Sequence, residues 1–331
     1  MMFFLSMITG TLISISSLSW MGMWMGLEIN LLSIIPLMNS NKNSYSSEAS
    51  LKYFITQALA STIILFSMMI LLNDIPLVNL ANKSIIMMFN SAILTKMGAA
   101  PFHFWFPEIM EGLNWNLCLI MLTWQKITPM VILMYNSNLP LFFMIIIIFS
   151  MLISGIIGFN QTSMRKILAY SSINHIAWMI STMFIMETTW FYYFIVYVAI
   201  SINITLIFNL LNVFQIKQMI TVMNKNPQVK FFFILNFLSL GGLPPFLGFF
   251  PKWLTIQNLI ENNFFIMTFI MIILTLLTLV YYIRLMYSTI LLSSSEMNFI
   301  LYPKLNQFWI FSSNFVILVS LLTCTILFNY L

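Results

Sequence analysis

Long apolar stretches separated by short polar segments fill nearly the whole chain. A helix needs about 20 predominantly apolar residues to cross a bilayer. By this rule we expect eleven spans, at about residues 2–21, 22–38, 51–72, 84–99, 116–135, 139–159, 167–186, 188–214, 230 to a break at 241–245, 263–292 and 307–331. The pattern therefore predicts an all-α polytopic membrane protein with a single membrane domain over residues 1–331.

Composition strengthens this prediction and narrows the function. The 331 residues are 61% hydrophobic and 6% charged, whereas soluble domains carry about 25% charged residues. The net charge of +5 is spread without a basic patch, so we expect no nucleic-acid partner. Cys118 and Cys324 lie inside apolar runs without metal-ligand spacing. The polar segments are too short for a soluble catalytic domain, a nucleotide-binding loop or a set of haem ligands.

Two Gly/Pro breaks interrupt this apolar pattern at matching positions. Residues 98–107 read GAAPFHFWFP and residues 242–251 read GLPPFLGFFP, with five identities in ten. Five predicted spans separate the breaks, so the second copy would be inverted in the membrane, which is typical of inverted repeats with discontinuous helices. We expect half-repeats at residues 1–138 and 139–292 and an extra span at 293–331. The alternative is that Gly and Pro are simply frequent in membrane helices.

The cations in the loops predict the orientation. Loops on the side of the N-terminus carry most of them, and the opposite side carries Lys83 alone. The N-terminal side holds Lys42, Lys52, Arg165, Lys166, Lys217, Lys225, Lys230 and Lys304. Because cation-rich loops lie on the inner side of a membrane, we expect the N-terminus on the inner side and the C-terminus outside.

Five ionisable residues fall at membrane depth: Glu28, Lys96, Lys126, His175 and Lys252. Each costs about 2.5–3.5 kcal/mol at the centre of a helix on insertion scales, so each requires a reason. Fixed interhelical ion pairs are one reason, but a single deep carboxylate cannot pair with three deep lysines. The other possible reason is that these residues move protons. A buried ammonium holds its proton less tightly, and a nearby carboxylate restores that affinity, so Glu28 is expected to switch Lys96.

Some of these placements leave alternatives open. Lys252 either lies at membrane depth after the second break, as the repeat predicts, or extends to the headgroups. His175 is either part of a proton route or a hydrogen-bonded packing residue. Outside this set, we expect an i,i+4 pair of Glu48 with Lys52 and a structural or interfacial role for His103 and for the two neighbouring acids, Glu108 and Glu111.

Six segments resemble the antiporter-like membrane subunits of respiratory complex I, NADH–ubiquinone oxidoreductase. They are MGLEIN (25–30), SEASLKYF (47–54), KMGAAPFHFWFP (96–107), LTWQK (122–126), LAYSSINHIAW (168–178) and LSLGGLPPFLGFFPKW (238–253). By this resemblance, Glu28 is the channel glutamate, Lys96 its partner lysine, Lys126 the central lysine and Lys252 the lysine of the second broken helix. His175 completes the expected proton route.

The resemblance also implies a setting. The chain would be a multi-pass subunit of the mitochondrial inner membrane, with its N-terminus on the matrix side and its C-terminus on the intermembrane-space side. We expect no cofactor in this chain, and NADH, FMN, iron–sulfur clusters and ubiquinone on partner subunits. Expected partners are neighbouring antiporter-like and small hydrophobic chains, accessory subunits, and lipids such as cardiolipin.

Two other functions remain open from the sequence. One is a stand-alone cation/proton antiporter, and the other is a structural subunit that keeps its polar residues but moves no protons. Bacterial relatives have fourteen spans, so an eleven-span chain leaves one flank of the first half for a partner helix or lipid. That uncovered flank favours the subunit of a larger complex.

Overall fold

The computed structural model describes residues 2–39, 43–72, 78–137, 139–224, 227–244 and 246–291, with residues 312, 314 and 315. Helices make up nearly all of this part of the chain, and an isolated antiparallel bridge joins Ser163 to Gln215. The fourteen helices of this part are α1 Met2–Ser16, α2 Trp20–Met38, α3 Ser44–Leu72, α4 Val78–Met97, α5 Trp105–Gly112, α6 Trp115–Leu122, α7 Trp124–Met134, α8 Pro140–Phe159, α9 Met164–Met183, α10 Glu187–Leu211, α11 Ile216–Met223, α12 Pro227–Gly241, α13 Phe249–Glu261 and α14 Phe265–Leu291.

The predicted all-α membrane fold is confirmed, with differences in detail. Within the described residues, six helical stretches are long and apolar enough to cross a bilayer: α2, α3, α6 with α7, α8, α10 and α14. The remaining predicted spans are shorter or carry more polar residues. The expected final span, residues 307–331, and the extra segment 293–331 lie almost wholly outside the described residues.

Helices α5, α11 and α13 were not predicted as separate elements. The amphipathic linker after the first break forms α5, and α13 begins after the second break. Predicted span five is two helices, because Thr123 has φ −115° and ψ −72° between α6 and α7. All three short helices lie beside a break or a loop, where apolar periodicity is too brief to indicate a helix.

The chain divides into two compact units, residues 1–150 and residues 151–331. In the first unit, α1 and α2 pack closely through small residues. A Cβ on Gly26 would lie 2.6 Å from the Ser14 nitrogen and 2.8 Å from the Gly10 oxygen. Small residues that let two backbones approach are typical of helix pairs in membranes.

In the second unit, α9 is the central helix. Every residue of α9 is buried except Arg165 and Lys166 in its first turn. A helix that is buried on all sides can direct polar groups inward, and α9 does so with Asn174 and His175. The low apolarity of α9 therefore reflects a polar interior.

The helices before the two breaks, α4 and α12, end in the same backbone conformation. Gly98 follows α4 with φ +76°, and Gly242 follows the end of α12 with φ +74°. At the first break, the Gly98 and Ala99 nitrogens donate to the Thr95 and Leu94 oxygens. Four backbone hydrogen bonds of the first break recur 144 residues later: Gly242 to Ser239, Leu243 to Leu238, Phe246 to Leu243 and Phe250 to Leu247. Glycine fits this left-handed helix cap because it has no Cβ. The half-repeats at residues 1–138 and 139–292 stay a prediction.

Candidate functional site

A small cavity in the first unit lies between two of the predicted lysines, Lys96 and Lys126. Its volume is about 20 Å³, which is enough for at least one water molecule. The other lining residues are Leu27, Asn30, Leu31, Tyr53, Gln57, Met97, Trp105, Phe106, Met121, Gln125, Thr128 and Pro129. The cavity thus joins α2, α3, α4, α5, α6 and α7 around two ammonium groups.

Lys96 occupies the last turn of α4, directly before the first break, and is 7% exposed. Glu28 on α2 is close enough to act on Lys96 electrostatically, but the two form no ion pair within 4.0 Å. The carboxylate oxygen Oε1 of Glu28 is buried and has no hydrogen-bond partner among the described residues. This geometry corresponds to the unpaired state of the predicted switch.

Lys126 is the most deeply buried of the predicted lysines, at 1% exposure. Its ammonium lies 5.5 Å from the centre of the Phe106 ring, which offers a favourable cation–π contact. Pro129, three residues later, cannot donate the backbone bond that a helix would direct to Gln125. The buried Thr128 hydroxyl beside it has no hydrogen-bond partner among the described residues. The surroundings of Lys126 are therefore both buried and locally polar.

An amide network borders the same cavity. Asn30 on α2 and Gln125 on α7 exchange two hydrogen bonds, of 3.1 and 2.9 Å. The hydroxyl of Tyr53 on α3 donates to the Gln125 oxygen at 3.4 Å. These contacts fix α7 against α2 and α3, so they set the position of Lys126. Sequence reasoning missed this network because residues 30 and 125 are distant in the chain.

In the second unit, Lys252 lies on α13 and is 7% exposed. This confirms burial and excludes the alternative in which the side chain extends to the headgroups. The ammonium donates to the Gly241 oxygen at 2.9 Å and to the Leu240 oxygen at 3.5 Å. It also lies 5.9 Å from the centre of the Trp178 ring. The second break therefore holds its lysine through backbone carbonyls.

His175 on α9 is 5% exposed and lies among aromatic side chains. Its Nδ1 is 2.9 Å from the Tyr193 hydroxyl, and its ring centre is 5.1 Å from that of Tyr197. Trp178, which contacts Lys252, follows one helical turn later on α9. His175 thus joins a buried polar cluster, a placement that fits either of its two predicted roles.

The remaining predicted residues are placed as follows. Glu48 and Lys52 form the expected i,i+4 pair at 2.9 Å, and Glu108 of α5 adds a second contact to Lys52 at 2.8 Å. His103 is buried, with Nδ1 3.3 Å from the Pro101 oxygen, so it is not at an interface with lipid or water.

Within the described residues, no group of three or more His, Cys, Asp or Glu side chains is arranged to share a metal ion.

Comparison with known proteins shows the family of the chain. The family model for the transmembrane region of NADH:quinone oxidoreductase and Mrp antiporter proteins matches residues 17–278. The chain belongs to this family. The match covers both helix breaks and all five deep ionisable residues.

Relatives within the family are similar over nearly their whole length. NADH-ubiquinone oxidoreductase chain 2 of Anopheles gambiae is 51% identical, over 92% of this chain and 90% of the relative. The chain 2 protein of Aedes aegypti is 49% identical, over 98% and 97%. Among solved structures, a chain of respiratory complex I from Thermus thermophilus superimposes with a TM-score of 0.86 at 21% identity, over 97% of this chain and 77% of that chain. That likeness establishes the fold.

Proposed function

We propose that this chain is a core membrane subunit of respiratory complex I, and that it moves protons through buried Glu, Lys and His side chains and water. The observation that carries the proposal is the cavity between Lys96 and Lys126, next to a broken helix and within electrostatic reach of Glu28. The similarity to chain 2 relatives over nearly their whole length supports the assignment to complex I.

Each unit contributes one set of proton-handling groups to this proposal. In the first unit these are Glu28, Lys96 and Lys126, and in the second they are His175 and Lys252. Charged groups at membrane depth that contact polar cavities are typical of proton relays. NADH, FMN, iron–sulfur clusters and ubiquinone are expected on partner subunits, so the part played by this chain is proton movement driven by their redox chemistry.

Glu28→Gln tests the proposal. The change keeps the shape of the side chain but removes its charge, so Lys96 loses the carboxylate that favours its protonated form. We expect the complex to assemble, with the chain migrating with NADH dehydrogenase activity on native gels. The number of protons pumped per NADH oxidised should fall, which is measurable in proteoliposomes with a pH-sensitive dye.

The same experiment separates the proposal from its alternatives. A stand-alone antiporter would migrate apart from NADH dehydrogenase activity, and Glu28→Gln would leave the ratio of protons to NADH unchanged. A structural subunit that moves no protons would co-migrate, yet the ratio would again be unchanged. An unchanged ratio in an intact complex would therefore overturn the proton-moving role.

We also propose that the chain lies in the mitochondrial inner membrane with its N-terminus on the matrix side. The support is the excess of Lys and Arg in loops on that side. A cysteine in place of Gln161, in the loop between α8 and α9, should resist a membrane-impermeant maleimide in mitoplasts and react after detergent is added. Labelling in intact mitoplasts would contradict this orientation.

A further inference from the structure

The four carbonyl groups at the end of α12 are satisfied partly by backbone donors and partly by a side chain. A helix leaves its last four carbonyls without intrahelical donors. Two of them, on Leu238 and Ser239, accept bonds from the backbone of the turn that follows Gly241. The other two, on Leu240 and Gly241, accept bonds from the ammonium of Lys252. The lysine therefore completes the cap of the helix that ends beside it.

Buried carboxylates do not surround Lys252 in the part of the second unit that the structure describes. The two described acids of this unit, Glu187 and Glu261, are both exposed, and Lys252 forms no ion pair within 4.0 Å with any described carboxylate. The buried ionisable side chains on the helices packed against α13 are Tyr170 and His175 on α9, Tyr193 and Tyr197 on α10, and Tyr281 and Tyr282 on α14. None of them is an anion at neutral pH, because a tyrosine phenol is then protonated and a histidine imidazole is neutral or cationic.

We propose that the C-terminal end of α12 is the counter-charge of protonated Lys252, and that Gly242 and Trp178 are positioning residues that hold the ammonium against it. A helix C-terminus carries about half a negative elementary charge, which stabilises a nearby cation. The first unit uses a carboxylate, Glu28, near its lysine, and the second unit uses a helix end. The inference rests on the proposed proton-moving role of Lys252 and names what stabilises its charged form.

Gly242 gives the lysine its space. A Cβ at this position would lie 2.7 Å from Lys252 Cδ and 2.9 Å from Nζ, so a side chain here would displace the ammonium. Gly98 is a matched control because it has nearly the same positive φ. A Cβ on Gly98 would meet the Phe106 side chain at 3.2 Å, and its three nearest atoms belong to Phe106 and Trp105. Comparison of the two glycines separates the backbone requirement from the steric one.

Trp178 covers the other side of the ammonium. The cation lies 5.9 Å from the centre of its ring, within the distance at which an aromatic face attracts a positive charge. Trp178→Phe would keep an aromatic face, whereas Trp178→Leu would keep an apolar side chain and remove that face. The two variants therefore test positioning of charge and not only packing.

The experiment measures the assembled complex on native gels and the protons pumped per NADH oxidised. We expect Gly242→Ala to reduce assembly more than Gly98→Ala does. Lys252→Ala should remove this extra loss, so that adding Gly242→Ala to Lys252→Ala costs no more assembly than Gly98→Ala costs the unchanged protein. We expect Trp178→Leu to lower the proton ratio to that of Lys252→Met, and Trp178→Phe to stay near the unchanged protein. Failure of Lys252→Ala to relieve Gly242→Ala would overturn the steric part of the inference.

The remaining outcomes are equally decisive. Equal proton ratios for Trp178→Leu and the unchanged protein, beside a low ratio for Lys252→Met, would overturn the positioning role of Trp178. If Lys252→Met itself leaves the ratio unchanged, the proposed proton-moving role of Lys252 fails. The assembly comparison between Gly242 and Gly98 still decides whether the lysine occupies the space beside Gly242 at the end of α12, so the two failures are distinguishable.

Discussion

Lys126→Met should abolish proton movement through this chain while leaving the complex assembled. A positioned proton-transfer group contributes roughly 100-fold or more to the rate of the step that it serves, so its loss should stop the route on the time scale of turnover. The number of protons pumped per NADH oxidised should then fall by the full share of this chain. Proteoliposomes that contain the purified complex allow this ratio to be measured.

The assembly of this variant has a physical basis. Met is close to Lys in length and is apolar, and Lys126 is 1% exposed, so the change removes a buried charge without opening a large cavity. A buried charge carries a desolvation penalty that an apolar side chain of similar volume does not carry. The Phe106 ring, 5.5 Å from the ammonium, can pack equally well against the thioether.

Lys217→Met is a matched control for Lys126→Met. Lys217 lies in the first turns of α11 and is exposed, so the same substitution there changes the net charge equally without touching the cavity. We expect Lys217→Met to leave the proton ratio unchanged. A normal ratio for Lys126→Met in an assembled complex would remove Lys126 from the proton route.

The breaks and the burial of the lysines could be predicted from the sequence because local chemistry determines them. Gly98 and Gly242 adopt the left-handed conformation in which glycine is favoured, and each ends a helix. Lys252 is buried because the chain after the second break continues as α13 within the protein. The repeat predicted this burial, whereas apolar span length alone placed the residue at a span end.

The contacts around those residues could not be predicted, because they join segments that are distant in sequence. Gln125 is held by Asn30 on α2, and His175 by Tyr193 on α10. Neither pairing leaves a trace in helical periodicity, which reports one face of one helix. The sequence does carry one signal for the first pairing, because Asn30 and Gln125 are polar residues at membrane depth. The predicted site included only ionisable residues at that depth.

Gly248→Ala should prevent the chain from accumulating in an assembled complex. A Cβ at this position would overlap the carbonyl oxygen of Ser239 on α12. That carbonyl also accepts a hydrogen bond of 3.0 Å from the Gly242 nitrogen, so a shift of the carbonyl would disrupt the cap of α12. Overpacking typically costs about 1–3 kcal/mol, and a backbone group cannot rotate aside as a side chain can, so we expect the upper end of that range. Native gels of the variant should show at least about a tenfold loss of complex.

Gly241→Ala, seven residues earlier, is the control that isolates this steric cause. Its Cβ would make only ordinary contacts, the nearest at 3.7 Å to Tyr282, and we expect normal assembly. The conformation of Gly248 is itself an ordinary helical one, with φ −65° and ψ −14°, so backbone strain does not explain the need for glycine there. Phe104 holds the corresponding position of the first break and is 71% exposed. The second break is therefore the tighter one, and normal assembly of Gly248→Ala would show that α12 and α13 can separate without loss of the fold.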